Sequence, residues 1–267
     1  MSLISTGKEL ARGVLLGVGR VKRALTPETI RYQGMLLPAK HLRLGGAHFR
    51  SNRNFLQSGH DEARRLVQRL DLGPKSRVLD IGCGMGRLAI GLLSSGVRLR
   101  HYHGVDVNAS TIDWCQRHIA ARHPGFQFTH LDLKNERYNP GGREIDTRAR
   151  LPLSDGSLEI IYLYSVFSHM QTAGVSAYLE EFRRLLVPGG RVFLTAFVEP
   201  GVPDEQVNPP GYGPLKWSGP LHCVRFERGF IEGLVRAQGL RIDQLEHGVE
   251  TDGQSGIYLT SPPGNEG

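Results

Sequence analysis

Short apolar runs bounded by glycine or proline predict buried strands at Arg77–Ile81, Arg98–Val105, Phe126–Leu131, Glu159–Tyr164 and Arg191–Phe197. Between them the apolar period lengthens to that of a helix. Ala63, Leu66, Val67 and Leu70 form a stripe on Asp61–Leu72, which Gly73-Pro74 stops. Further helices are predicted at Arg87–Leu93, at Ser110–Arg122 with Ser110 as N-cap, at Val175–Leu186 closed by Pro188-Gly189-Gly190, and at Glu227–Gln238 closed by Gly239. Leu240–His247 and Gly256–Thr260 read as a last, hairpin-like pair of strands, with the tail from Ser261 frayed. Regular alternation of strand and helix predicts an α/β fold, with a mostly parallel sheet covered on both faces.

Three stretches depart from this rhythm. In Met1–Leu25, Leu10, Val14, Val18 and Val21 recur at helical spacing among Lys8, Arg12, Arg20, Lys22 and Arg23. Such a basic amphipathic helix either packs on the domain or lies on a membrane surface. Its longest apolar run, Val14–Val18, is too short for a secretory signal. Thr26–Gly59 is punctuated by Pro27, Gly34, Pro38, Gly45, Gly46 and Gly59 and reads as irregular. Residues 1–60 therefore read as an N-terminal helical and irregular segment, and 61–267 as the main domain. Glu199–Arg225 carries six prolines and four glycines. A loop that long inside a compact domain is usually functional.

Composition narrows the function classes. No stretch approaches the roughly 20 apolar residues of a membrane span. Cys83, Cys115 and Cys223 are odd in number and far apart, so neither a disulfide framework nor a zinc site is read, and the cytosol is the expected compartment. The net charge of +7 is spread out rather than blocked, which fits solubility better than a nucleic-acid surface.

The chemistry concentrates where the first predicted strand meets its helix. Gly82, Gly84 and Gly86 stand at alternate positions between them. A strand, a glycine turn and a helix N-terminus receive a ligand's polar end. A dinucleotide site usually reads G-x-G-x-x-G. Here the pattern is G-x-G-x-G, with Asp80 inside the strand just before it. An acid there repels a pyrophosphate and suits an ammonium group. Asp106 ends the second strand 24 residues after Gly82. A ribose-binding carboxylate belongs roughly 20 residues on.

Asp80-Ile81-Gly82-Cys83-Gly84-Met85-Gly86 resembles motif I of class I S-adenosylmethionine (SAM) dependent methyltransferases, and the resemblance runs from about Arg77 to Phe197. It implies a Rossmann-like seven-stranded, mostly parallel sheet with the last strand antiparallel, and a cap from the N-terminal segment, residues 1–60. It implies SAM as cofactor, held by Asp80, Gly82, Cys83, Gly84, Gly86, Arg87, Asp106, Val107 and Ser165. It also places an adenine contact at Asp132 with Leu133 beside it; a solvated turn aspartate is the alternative.

An alcohol acceptor is helped by a general base. His169, just beyond the fourth strand, is the candidate, or else a histidine that bonds a backbone group and shapes the pocket. Cys83 reads as loop packing, since methyl transfer from SAM needs no enzyme nucleophile. Glu199, Tyr212, Trp217 and His222 in the long loop, and Arg50 before the first helix, are candidate acceptor contacts. Tyr138–Gly142, Ser165–Met170 and that loop resemble a bacterial small-molecule branch linked to polysaccharides and glycolipids, which makes a sugar hydroxyl the leading acceptor. Alternatives are O- or N-methylation of a lipid or secondary metabolite, and SAM binding without catalysis. No metal, nucleic-acid partner or stable membrane insertion is expected, and a homo-oligomer is left open.

Overall fold

The structure, a computed structural model, describes residues 27–143 and 150–264. The expected N-terminal helix, Met1–Leu25, lies outside the described residues. In chain order come β1 (Thr29–Tyr32), β2 (Met35–Pro38), α1 (Asn52–Arg69), β3 (Arg77–Ile81), α2 (Arg87–Ser94), β4 (His101–Asp106), α3 (Ala109–His118) and β5 (Phe126–His130). Then follow β6 (Leu158–Leu163), α4 (Thr172–Leu185), β7 (Leu186–Glu199), β8 (Glu205–Val207), β9 (Val224–Glu227), α5 (Arg228–Ala237), β10 (Arg241–Glu246) and β11 (Ser255–Thr260).

The expected seven-stranded sheet forms in the order β10-β11-β7-β6-β3-β4-β5. β3, β4, β5, β6 and β7 are parallel, and β11 runs antiparallel between β7 and β10. From β3 the chain builds outward through β4 and β5, then returns to build β6 and β7 on the other side. The crevice beyond β3 and β6 is thus a topological switch point, where open α/β sheets bind ligands. Side chains leave the strands alternately to two cores. Leu79, Ile81, Ile161 and Leu163 pack with Val175, Leu179 and Phe182 of α4 and with Ile231 and Val235 of α5. Val78, Tyr102, Ile160 and Tyr162 pack on the other face with Leu66 of α1, Leu88 of α2 and Trp114 of α3.

Several elements differ from the sequence reading, each for a local reason. α1 starts at Asn52, well before Asp61, because Ser51 caps it by accepting from the Asn54 amide at 3.3 Å. Gly59 is not a break. It lies where α1 crosses α2, and a Cβ on Gly91 would stand 2.0 Å from the Gly59 carbonyl oxygen. Two glycines let these helix backbones touch. β1 and β2 form an antiparallel hairpin inside the stretch expected to be irregular, turned by Gln33 and Gly34 at positive φ. The α3 cap is Asn108, whose side chain accepts from the Ser110 amide at 3.0 Å, rather than Ser110 itself.

The long loop is not structureless. β9 lies parallel to the end of β7, pairing Phe197 with Arg225, and β8 runs antiparallel to β9. The tail does not fray at Ser261, which is buried and donates from its amide to Gly190 O (2.9 Å) and from its hydroxyl to Val187 O (2.7 Å). No helix among the described residues is long and apolar enough to cross a membrane.

The glycine contact between α1 and α2 carries a stability prediction. Gly91→Ala must push α1 away from α2, and overpacking of this kind costs about 1–3 kcal/mol. Urea unfolding should show a lowered midpoint with unchanged slope; an unchanged midpoint would mean that the helices are free to separate.

Candidate active site

A cavity of about 440 Å³ opens at the carboxyl ends of β3, β4 and β6. Volumes of about 300–1,000 Å³ are usual for small-molecule sites. The loop after β3 forms one wall and is tied down from β4. Gly82 and Cys83 donate their amides to Val105 O at 2.8 and 3.1 Å. Gly84 donates to Asp106 Oδ2 at 2.8 Å, and Asn108 N donates to Oδ1 at 2.8 Å. Gly84 has φ +51° and a Cβ there would meet nothing within 4 Å, so the main chain faces open cavity. Gly86 has φ +71°, and its Cβ would press to 2.6 Å from Ile119 Cδ1, so α2 can begin there only on glycine.

Two carboxyls face this loop, Asp80 buried and Asp106 half-buried. Asp106 ends β4 with an amide on each oxygen, and burial still raises its pKa. The remaining lone pairs suit a pair of hydroxyl donors. Asp80 accepts from the Tyr102 hydroxyl, and burial pushes its carboxyl up to about 7, against the pull of that hydrogen bond. A cationic ligand group would restore its charge. Arg87 closes this end. Its guanidinium lies 5.1 Å from the ring centres of both Phe49 and Tyr164, and 3.5 Å from Glu62 Oε1.

The opposite wall is built by the turn after β6 and by the long loop. Ser165 has φ +58°, a conformation that costs a non-glycine residue about 1–3 kcal/mol. Its amide donates to Thr195 Oγ1 at 2.8 Å, and its hydroxyl accepts from Gln254 Nε2 at 2.9 Å. These bonds hold the turn in place and fix the start of the segment carrying His169. The His169 ring uses Nδ1 to donate to Leu221 O at 2.9 Å, which leaves Nε2 as the acceptor. Burial lowers its pKa to about 4, with the nearby Arg137 cation adding to the effect. His169 is therefore neutral at physiological pH. Trp217 stands edge-on to Phe197 and to His222, at 5.3 Å in each case, and donates from Nε1 to Tyr212 O at 2.6 Å.

Residues 78–190 match a family model described as a methyltransferase domain. That span runs from β3 into β7 and contains Asp80, the glycine loop, Asp106, Ser165 and His169. This match supports S-adenosylmethionine as the cofactor. The chain is similar to a phosphoethanolamine N-methyltransferase of Triticum aestivum, 25% identical over 149 residues, which are 55% of this chain. The match spans only 26% of that enzyme's length. In fold it is similar to the cyclase SpnF (TM-score 0.55, 17% identity, 83% of this chain and 85% of that one). It is also similar to magnesium protoporphyrin IX methyltransferase from Synechocystis PCC 6803, determined with bound SAM (TM-score 0.51, 16% identity, 82% and 86% of the two chains).

The cavity fits the cofactor: a diol would find Asp106, an ammonium would find Asp80, and Val107 and Leu131 offer apolar surface to a base. Of the residues singled out from sequence, Asp80, Gly82, Cys83, Gly84, Arg87, Asp106, Val107, Ser165, His169, Trp217 and His222 all line it. Cys83 is buried with its thiol pKa well raised, in keeping with packing rather than reactivity. Gly86 sits one turn back, capping α2. The other five lie off the wall. Asp132 is exposed, accepting from Asn139 Nδ2 at 3.2 Å, and Leu133 packs against the sheet. Tyr212 donates to Glu199 at 3.2 Å, and Glu199 also meets His247 at 3.0 Å, so these two brace the loop from behind Trp217. Arg50 is exposed, while Gly45, Gly46 and Phe49 just before it line the cavity. Gln254 and Asn135 went unnoticed in the sequence; each is a lone amide in a loop with no periodic or motif signal.

The position of Asp80 predicts a pH effect on cofactor binding. The free protein holds this carboxyl protonated below about pH 7, and pairing with an ammonium requires the ionised form. SAM affinity measured by calorimetry should therefore fall as pH drops, by roughly fivefold between pH 7 and pH 6. Asp80→Asn should bind more weakly and without that dependence. A flat wild-type profile would show that Asp80 meets no cation.

Proposed function

We propose that the chain moves the methyl group of SAM to a hydroxyl of a small molecule, with a sugar or a glycolipid or polysaccharide precursor as the leading acceptor. One observation carries the methyl-transfer reading: a neutral His169, its Nδ1 committed to Leu221 and its Nε2 left to accept a proton, lines the same cavity as the glycine loop and Asp106. When bound, the cofactor supplies an electrophilic methyl on a cationic sulfur. Asp106, Asp80 and the loop amides hold and orient it, since alignment is the main task in such a displacement. His169 Nε2 takes the proton that the hydroxyl loses as its oxygen bonds to the methyl carbon, whose bond to sulfur breaks with the electron pair left on sulfur. Trp217 supports a sugar, because a flat ring backed by Phe197 can cover a sugar's apolar face.

A nitrogen acceptor is the second reading, favoured by the name of the Triticum aestivum relative. A neutral Nε2 would also take a proton from an ammonium substrate. A third reading, cofactor binding without catalysis, is separated from both by turnover alone.

The test is a screen of isotopically labelled SAM against sugars, glycolipids, phenols and phosphoethanolamine, with mass detection of the methylated product. An O-methyl product is expected, and labelled nitrogen alone would overturn the oxygen assignment. On the accepted hydroxyl compound, His169→Ala should lower kcat about 10²–10⁴-fold. His169→Gln keeps a polar group but cannot take a proton, so it should be as slow. Near wild-type turnover by Gln would leave the histidine only a shaping role. At saturating SAM, kcat/KM for the acceptor should be level near neutrality and decline as pH falls toward about 4, where the imidazole of the acceptor-free protein protonates.

A further inference from the structure

Two arginines line the cavity. Arg87 is matched, with Glu62 on one side and two aromatic rings around it. Arg137 is not. Among the described residues it forms no ion pair. Its Nε donates only to the neighbouring Tyr138 hydroxyl, at 3.3 Å, with the guanidinium carbon 5.5 Å from that ring's centre. The acids on the cavity wall are Asp80, bonded to Tyr102, Asp106, bonded to the glycine loop, and Asp252, which forms no ion pair with it. A half-buried guanidinium with donors to spare is a ready partner for a carboxylate or phosphate.

Its placement is built rather than incidental. Asn135 Oδ1 accepts from the amides of both Arg137 and Tyr138 at 3.0 Å, fixing a tight turn. Asn135 Nδ2 donates to His169 O at 3.3 Å, and the Tyr138 ring stands edge-on to the His169 ring at 5.7 Å. Arg137, Tyr138 and His169 thus form one unit on the cavity wall. An anion seated on Arg137 would lie near the atom that takes the proton.

We propose that Arg137 is an anion-binding residue of the acceptor site, and that the acceptor carries a carboxylate or a phosphate close to its reacting hydroxyl. This rests on the reading of the cavity as an acceptor site for hydroxyl methylation. It adds a coupling between binding and chemistry. The Arg137 charge helps to hold His169 neutral, at the expense of its strength as a base. An acceptor's anion would offset that charge and raise the affinity of Nε2 for a proton once substrate is in place. A neutral acceptor would give no such help. The anion therefore serves selection and proton transfer together.

Calorimetry on the full chain saturated with S-adenosylhomocysteine tests this without needing turnover. The probes are glucuronate, glucose 6-phosphate, inorganic phosphate and, as the neutral control, glucose. At least one anion should bind more tightly than glucose. Arg137→Ala should weaken that binding tenfold or more, Arg137→Lys should weaken it less, and glucose should respond to neither variant. Preference between glucuronate and glucose 6-phosphate tells a carboxylate from a phosphate. Unchanged S-adenosylhomocysteine affinity in the variants shows that the fold and the cofactor end are intact. If no anion binds, if Arg137→Ala leaves anion affinity unchanged, or if glucose binds as tightly as the anions, the proposal is wrong. Because binding is read directly, that failure leaves hydroxyl methylation standing, and failure to find a hydroxyl product leaves the anion result standing.

Discussion

The site depends on one half-buried carboxylate. Asp106 accepts from Gly84 on one oxygen and from Asn108 on the other, so a single side chain clamps the glycine loop and starts α3. The Val105 carbonyl supports the same loop one residue earlier. Strand β4 therefore dictates the path of the loop after β3, and α2 starts where that path allows. A carboxylate tied only to amides stays acceptor-rich. Burial makes its charge costly, and that cost creates the demand for further donors. The protein supplies two, and a ligand diol can supply the rest.

The other wall is organised around polar groups too, with a different balance. Ser165 holds a disfavoured backbone angle, with Thr195 and Gln254 bonding its amide and hydroxyl. Beyond it, Leu221 from the long loop fixes the His169 ring, and Asn135 ties the turn before β6 to the same segment. Three chain segments far apart in sequence meet at one imidazole. Its neutrality follows from where they place it. Tyr212, Glu199 and His247 act further out, bracing the loop that presents Trp217.

Much of this was legible in the residues and some was not, for identifiable reasons. Strand runs and the glycine spacing depend on local pattern, so the sheet and the loop could be read directly. The early start of α1 was hidden because Gly59 looks like a breaker, and only the approach of Gly91 reveals why a glycine is wanted mid-helix. The β1–β2 hairpin was missed because each strand is only four residues long. Asp132 was singled out by the family resemblance, yet its side chain turns to Asn139, a partner that no spacing rule anticipates. Gln254 and Arg137 act through contacts that exist only after folding. Arg137 in particular is one arginine among many in sequence, and it stands out only once it is seen to form no ion pair among the described residues.

The central claim is that one cavity holds SAM with its reactive end toward His169. The most direct measurement is a crystal structure of the chain with S-adenosylhomocysteine bound. The ribose hydroxyls should sit on Asp106, the amino group should face Asp80, and the sulfur should point toward His169 Nε2 across the cavity. A ribose placed away from Asp106, or a sulfur turned from His169 toward Arg87, would contradict it.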